Sequence, residues 1–293
     1  MHFNKKNALL LLLNGLLVQQ SYAIDVNAGD YTALPSGTNV GVFYYQHSKM
    51  DGYYQNGHKS EAESQSDIGI ARFIHYTDIA GMRATPQIVI PFGSVRNTQI
   101  GNTDLNQASG FADPIIASAF WLINQPEKGA SGRYLAFTPF IYLPLGQYDK
   151  HDAVNLGENR FKYDLQMAWV EPLYDKFSFE LYQDVIWYGD NDEAGTGEQT
   201  LTQDTSYQTQ VNLRYDLNLT QRFALGYAAN YGGDQAIDGI NIQQDMGKQQ
   251  LRFEYQHMIN PKTQLSAQLV KDTQVESGFK KDLGLNFRLF YAF

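Results

Sequence analysis

The 293-residue chain contains no cysteine. No disulfide can hold the fold together, and no thiolate site can bind a metal. Basic residues are in deficit: 22 Lys and Arg stand against 31 Asp and Glu. Lys5 and Lys6 fall in an N-terminal leader without acids, so its removal leaves 20 against 31, a formal charge of −11. A nucleic-acid partner needs a basic footprint, which this balance excludes. Beyond the leader no stretch of 18 apolar residues occurs, so the sequence offers no membrane-spanning helix. Catalytic signatures are missing too. There is no Gly-x-Ser-x-Gly elbow and no His-Glu-x-x-His, and the histidines at 47, 58, 75, 151 and 257 are scattered. The acidic run Asp190-Asn191-Asp192-Glu193-Ala194-Gly195 opens like a calcium loop. It fails at Ala194 and at Leu201, where such a loop needs ligands, and reads as solvated. We therefore expect no enzyme, no metal and no cofactor.

What is present begins with the leader. Two lysines precede an apolar stretch from Ala8 to Val18, and Ser21-Tyr22-Ala23 offers small residues for cleavage. This predicts a secretory signal peptide over 1–23. From residue 39 onward the apolar period is two, punctuated by Gly, Asn, Asp and Pro. The alternation predicts about twelve strands, centred on 39–48, 66–76, 82–93, 111–123, 133–145, 160–170, 177–189, 205–217, 222–232, 248–258, 263–272 and 280–293. Tyr207, Thr209, Val211, Leu213 and Tyr215, for example, alternate with Gln208, Gln210, Asn212, Arg214 and Asp216.

A soluble β-sandwich would show the same alternation. The connections discriminate. Those after the even-numbered strands are mostly tight, as at Asn260-Pro261-Lys262. Those after the odd-numbered strands (50–65, 94–109, 146–159, 189–204, 233–247) are long and polar. That sorting predicts an all-β, antiparallel, up-and-down transmembrane barrel in a bacterial outer membrane, with short periplasmic turns and long extracellular loops. Strands of about 11 residues tilted about 45° span about 26 Å, close to the apolar band of that membrane. The last segment alternates Leu283, Leu285, Phe287, Leu289, Tyr291 and Phe293 on one face, which then meets outer-membrane lipid. Its place is to close the ring against the first strand, removing an edge that hydrocarbon cannot satisfy. Its terminal aromatic resembles the signal read by the barrel-insertion machinery, an expected partner during biogenesis.

The domain plan is a signal peptide (1–23), an N-terminal periplasmic or plug segment (24–38) and the barrel (39–293). A ring of about twelve leaves a narrow lumen. Strand phase points Arg214, Arg252, Glu254, Arg288, Asp164 and Asp184 inward, together with Lys162, Glu180 and Asp282. Pairing across the lumen is the favoured role for these charges over contact with a solute. Strand five is apolar or aromatic on both faces, so its Tyr134, Phe140 and Tyr142 can form an aromatic wall facing a hydrophobic solute. Ordinary packing against an inserted segment explains the same residues equally well. Residues 30–35, with Tyr31 as a candidate solute contact, can form a constriction or plug.

The stretch Asp30-Tyr31-Thr32-Ala33-Leu34-Pro35-Ser36-Gly37-Thr38-Asn39 followed by VGVFYYQH resembles the N-terminal signature of the meta-pathway phenol-degradation family of outer-membrane proteins. Further matches are Gly110-Phe111-Ala112-Asp113-Pro114, the run from Thr138 to Asp149, and Asn155-Leu156-Gly157-Glu158-Asn159-Arg160. Here Phe111-Ala112 stands where the family often has a second glycine. The resemblance implies an outer-membrane transporter for small hydrophobic, phenol-like compounds, and it carries over no catalytic residue. A general narrow porin, a structural or adhesive barrel acting through its loops, and a lipid-directed barrel enzyme stay open as other readings at this point.

Overall fold

The computed structural model describes residues 24–293, and the predicted leader lies outside them. Twelve long antiparallel strands form one closed sheet. They are β1 (Asn39–Gln55), β2 (His58–His75), β3 (Met82–Ile100), β4 (Ile115–Gln125), β5 (Arg133–Tyr142) and β6 (Lys162–Pro172). The ring continues with β7 (Phe177–Tyr188), β8 (Ser206–Asp216), β9 (Gln221–Gly232), β10 (Lys248–Asn260), β11 (Thr263–Val275) and β12 (Gly278–Ala292). Each strand pairs with its chain neighbours, and β1 closes the ring on β12 from Val40↔Ala292 to Tyr54↔Gly278. Asn39 and Phe293 complete the seam by exchanging both backbone hydrogen bonds, at 3.0 and 2.8 Å. No helix occurs among the described residues.

The polarity is inverted relative to a water-soluble protein. Arg214, Glu180, Asp184 and Asp272 are buried inside the ring, at 0 or 1 % exposure, whereas Leu225 is 62 % exposed on its outside. Leu251, Leu269, Phe253, Phe287 and Leu289 share that exposed apolar face. Such an arrangement is stable only where lipid covers the exterior. Two aromatic belts ring it. Tyr207 stacks on Tyr231 near one rim, and Phe177–Tyr215 and Tyr291–Phe293 lie near the other, where interfacial anchors belong.

Two of the expected long loops are in large part strand. The β1–β2 ladder runs on to Gln55↔His58 and is closed by Asn56-Gly57, with φ of 50° and 71°. Paired positive φ values make this the two-residue hairpin turn that Asn-Gly favours, so the polar residues of 50–65 pair beyond the membrane instead of looping. β3 likewise continues to Ile100. The loops 189–205 and 233–247 contribute Asn191–Ala194, Gln199–Gln203, Gln235–Ile237 and Ile240–Asn241 to a separate four-stranded sheet. The acidic run at 190–195 is its first strand and turn, where Asp192 accepts a hydrogen bond from Thr200. Asp282 departs from its expected inward phase. The β1–β12 pairing skips it between Leu283↔Lys49 and Lys281↔Met50, so this bulge turns Lys281 inward and leaves Asp282 exposed beside Lys271.

Candidate solute path through the lumen

Residues 24–38 run inside the barrel. Asn27 donates to Glu254 at 2.7 Å, Ala28 N donates to the same carboxylate at 3.2 Å, and Val26 N donates to Gln210 at 3.1 Å. Gly29 N lies 3.1 Å from both oxygens of Glu180. That approach needs glycine. Its φ is +81°, and a Cβ there would come within 2.4 Å of Arg222 Nη1. Asp25 pairs with Arg252 at 2.5 Å, and Asp30 pairs with Arg288. Residues 25–30 are therefore fixed by charges from β7, β10 and β12, with neutral bonds from β8 and from Gln256 of β10.

Beneath it, the periplasmic half of the lumen is packed. Tyr31, Tyr76, Trp121, Tyr134 and Tyr182 are buried in one cluster with Val40, Ala136 and Val170. Tyr31 lies 6.1 Å from Trp121 and 5.7 Å from Tyr182, ring to ring. Its hydroxyl bonds to Thr138 and Gln166, and Trp121 Nε1 donates to its carbonyl. A void of about 20 Å³ beside Phe140 and Tyr31 has room for about one water and no solute.

Above the segment a cavity of about 450 Å³ opens toward the extracellular loops, a volume within the range of small-ligand sites. One wall is apolar: Ile68 and Ile70 from β2, Val89 and Pro91 from β3, Ile115 from β4 and Tyr142 from β5. The opposite wall is polar: Gln208, Gln250, Arg252, Gln268, Asn286 and Arg288. Its roof comes from the loops. Val154 and Leu156 fold inward, and Asn106 clasps the Val154 backbone through its side-chain oxygen and nitrogen.

Three stretches distant in sequence meet at this roof. Asp113 accepts Gly146 N on one carboxylate oxygen and Glu158 N on the other, both at 2.9 Å. Gly146 packs on the main chain of residues 112–113, where a Cβ would lie 2.6 Å from Asp113 N, and Gly157 packs on Gly146, where a Cβ would lie 2.8 Å from its carbonyl carbon. Burial pushes the Asp113 carboxyl above the ordinary range, and the two N–H groups offset this only in part. At Glu158 burial acts in the same upward sense, but Lys162 and Arg160 outweigh it and hold the carboxyl below its usual value. Lys162 also sits 4.4 Å from the centre of the Tyr142 ring, a cation–π contact.

The expected solute contacts do not share one surface. Tyr142 lines the upper cavity, Phe140 lines the small void below it, and Tyr31 and Tyr134 lie in the periplasmic cluster. The lumen charges are largely paired. Arg214 binds Glu180 at 2.7 Å, and Tyr182 donates to that carboxylate. Asp184 accepts Gln166, while neither oxygen of Asp164 has a hydrogen-bond partner among the described residues. Sequence reasoning missed the wall on β2 and β3. Its signal was the one noticed in strand five: Ile68, Ile70 and Ile74 alternate with Gly69, Ala71 and Phe73, leaving few polar residues on either face.

The chain matches the family described as "Putative MetA-pathway of phenol degradation" over residues 33–289. It belongs to that family. An outer membrane channel from Pseudomonas putida F1 has the same fold with a TM-score of 0.86 and 36% identity, over 92% of this chain and 100% of that one. Autotransporter barrels are similar in fold alone. The β domain of the Bordetella autotransporter BrkA aligns with TM-score 0.52 and 9% identity over 86% and 98% of the two chains. The translocator domain of NalP from Neisseria meningitidis gives 0.51 and 10% over 90% of each. No curated protein matches. The family match and the P. putida channel together place the chain in the outer membrane as a channel rather than an enzyme. All the stretches that carried the resemblance lie within the match except the first residues of the N-terminal signature. Several of them converge on Asp113.

Proposed function

We propose that this channel admits small hydrophobic molecules, aromatic ones among them, and that residues 24–38 form its plug. The observation that carries the reading is the two-sided cavity above the segment. Its apolar wall removes a hydrophobic body from water, which a pore for sugars or ions does not need. A solute would enter between the loops and settle against Ile68, Ile70 and Tyr142. It would pass on once residues 30–35 shift from the aromatic cluster. The phenol-degradation description of the family supports the solute class.

The test is uptake by intact cells, whose lipopolysaccharide leaflet slows hydrophobic compounds. Phenol-like and benzoate-like compounds, an alkane and a sugar would be compared in cells with and without the channel. Ile70→Asp should slow aromatic entry by about tenfold, because it replaces a partly buried aliphatic contact with a charge. Equal gains for sugar and aromatic would make the channel a general narrow porin. No gain over cells lacking it would sink the reading.

A further inference from the structure

The polar wall holds two arginines whose carboxylate partners come from the N-terminal segment and not from the strands. Arg252 donates Nε to Gln250 and Nη1 to Gln210, both neutral acceptors at 2.7 Å. Its ion pair among the described residues is with Asp25 of the N-terminal segment. Arg288 repeats the arrangement, with Gln264 as neutral acceptor and Asp30 as its ion pair. Two further cations line the same cavity without an ion pair among the described residues. They are Lys281, near the extracellular end, and Arg72, whose Nε donates to Gln87. The cavity's other carboxylates are engaged elsewhere: Glu158 binds Arg160 and Lys162, and Asp113 holds two backbone N–H groups.

We infer that the cavity takes an amphipathic organic anion, whose carboxylate displaces Asp25 from Arg252 while its apolar body lies against Ile68, Ile70, Val89 and Pro91. The Asp25–Arg252 pair is already a carboxylate on a guanidinium at the cavity floor. Asp25 is its exposed member, with a side chain 35% accessible against 5% for Arg252. Removing Asp25 without a replacement strands a buried cation, which is costly. A solute carboxylate supplies the replacement with a charge-assisted bond of the same kind. A neutral solute does not, so it gains no help from this pair in releasing the segment. Binding of an anion is thereby coupled to release of the segment. The identity of the head group rests on the uptake reading only in so far as the cavity is the route of entry.

The test uses the full mature protein in phospholipid nanodiscs, with empty discs as background. The probes are phenylbutyrate and its neutral counterpart phenylbutanol, measured by equilibrium binding near neutral pH. Wild type should bind the acid more tightly than the alcohol. Asp25→Asn, which frees Arg252, should tighten the acid by about tenfold and leave the alcohol unchanged. Arg252→Gln should reduce the acid to the level of the alcohol, and Arg252→Lys should restore part of the preference. If Arg252→Gln alone misfolds, the Asp25→Asn/Arg252→Gln pair removes the stranded charge and answers the same question. Equal binding of acid and alcohol by wild type overturns the inference, as does an acid-to-alcohol ratio that Asp25→Asn does not change. Cell uptake of both probes separates this from the broader reading. Uptake of both without any acid preference keeps the channel function and ends the anion proposal. Acid-selective binding without uptake supports the site and ends the uptake reading.

Discussion

Replacing Gly29 by Ala should loosen the segment inside the barrel without disturbing the barrel itself. The residue sits at φ +81°, a conformation that costs an L-residue with a Cβ about 1–2 kcal/mol. The new methyl would stand 2.4 Å from Arg222 Nη1 and 3.0 Å from Arg214 Nη1. Arg222 can swing aside, since it meets Asp216 only at 3.3 Å. Arg214 cannot easily do so, because Glu180 holds it at 2.7 Å. If the backbone moves instead, Gly29 N loses its contact with the Glu180 carboxylate, a bond of about 1.5–3 kcal/mol. Allowing for relaxation, the segment should lose roughly 2–4 kcal/mol of its hold, so its displaced population should rise by thirtyfold or more, up to about a thousandfold. The absence of native cysteine gives a clean assay. Ala28, 1 % exposed, becomes the only thiol in Ala28→Cys, and its reaction with a maleimide reports the open fraction. Labelling should accelerate at least thirtyfold when Gly29→Ala is added, with the heat stability of the barrel unchanged. An increase below about threefold would refute the reasoning, because the steric and hydrogen-bond terms would then not be holding the segment.

Arg214→Met should lower barrel stability by about 3–5 kcal/mol in a urea titration in vesicles, by leaving the fully buried Glu180 uncompensated, and adding Glu180→Gln should recover most of the loss. Leu225→Arg puts a cation on the lipid face between Leu213 and Phe253 and should cost about 2–4 kcal/mol if this level is near the bilayer midplane, read by the same titration. The roof should be pH-sensitive through Glu158. Its folded carboxyl value lies below its unfolded one, so its contribution is fully present above the ordinary glutamate range and is lost as pH falls through the depressed folded value. Hydrogen exchange of residues 146–160 should therefore quicken on acidification below that range, and Glu158→Gln should remove the dependence. Asp113, whose value is raised, acts in the opposite sense, which Asp113→Asn isolates.

The barrel was legible because lipid imposes a rule on one face of every strand. Leu283 to Phe293 and Tyr207 to Tyr215 carry that rule in alternate positions, whatever their partners. Strand ends were less legible where the ladder outgrows the membrane. In β1, His47 to Gln55 lose the apolar alternation although the ladder continues and Tyr53 still packs inward on Phe279, and only Asn56-Gly57 marked the true turn. Asp282 was misplaced because a bulge reverses side-chain phase and leaves no trace in the pattern. The inward charges were readable from phase, but their partners were not. Asp25 and Asp30 reach Arg252 and Arg288 across more than two hundred positions, a separation on which periodicity carries no information. The apolar wall escaped for a related reason. Each of β2, β3, β4 and β5 contributes one or two residues, and only ring closure sets them side by side.

The seated segment also constrains the order of assembly. It is covalently continuous with β1, and β1 is half of the seam that closes the ring on β12. Until that seam zips, both strands are unpaired edges and the pocket for residues 25–30 does not exist. Its walls at Glu180, Glu254 and Arg288 come from β7, β10 and β12, the later half of the chain. Two histories are open to the molecule: the sheet curls around a segment already lying across it, or the closed ring is threaded afterwards from the periplasmic mouth. In the first, the Asp30–Arg288 contact can form beside the nascent seam and guide its register. In the second, the aromatic cluster must part to let Tyr31 through, which makes seating a slow step distinct from closure. A time course of Ala28→Cys protection set against the gain of heat-resistant barrel would distinguish them, the two running together in the first case and protection lagging in the second.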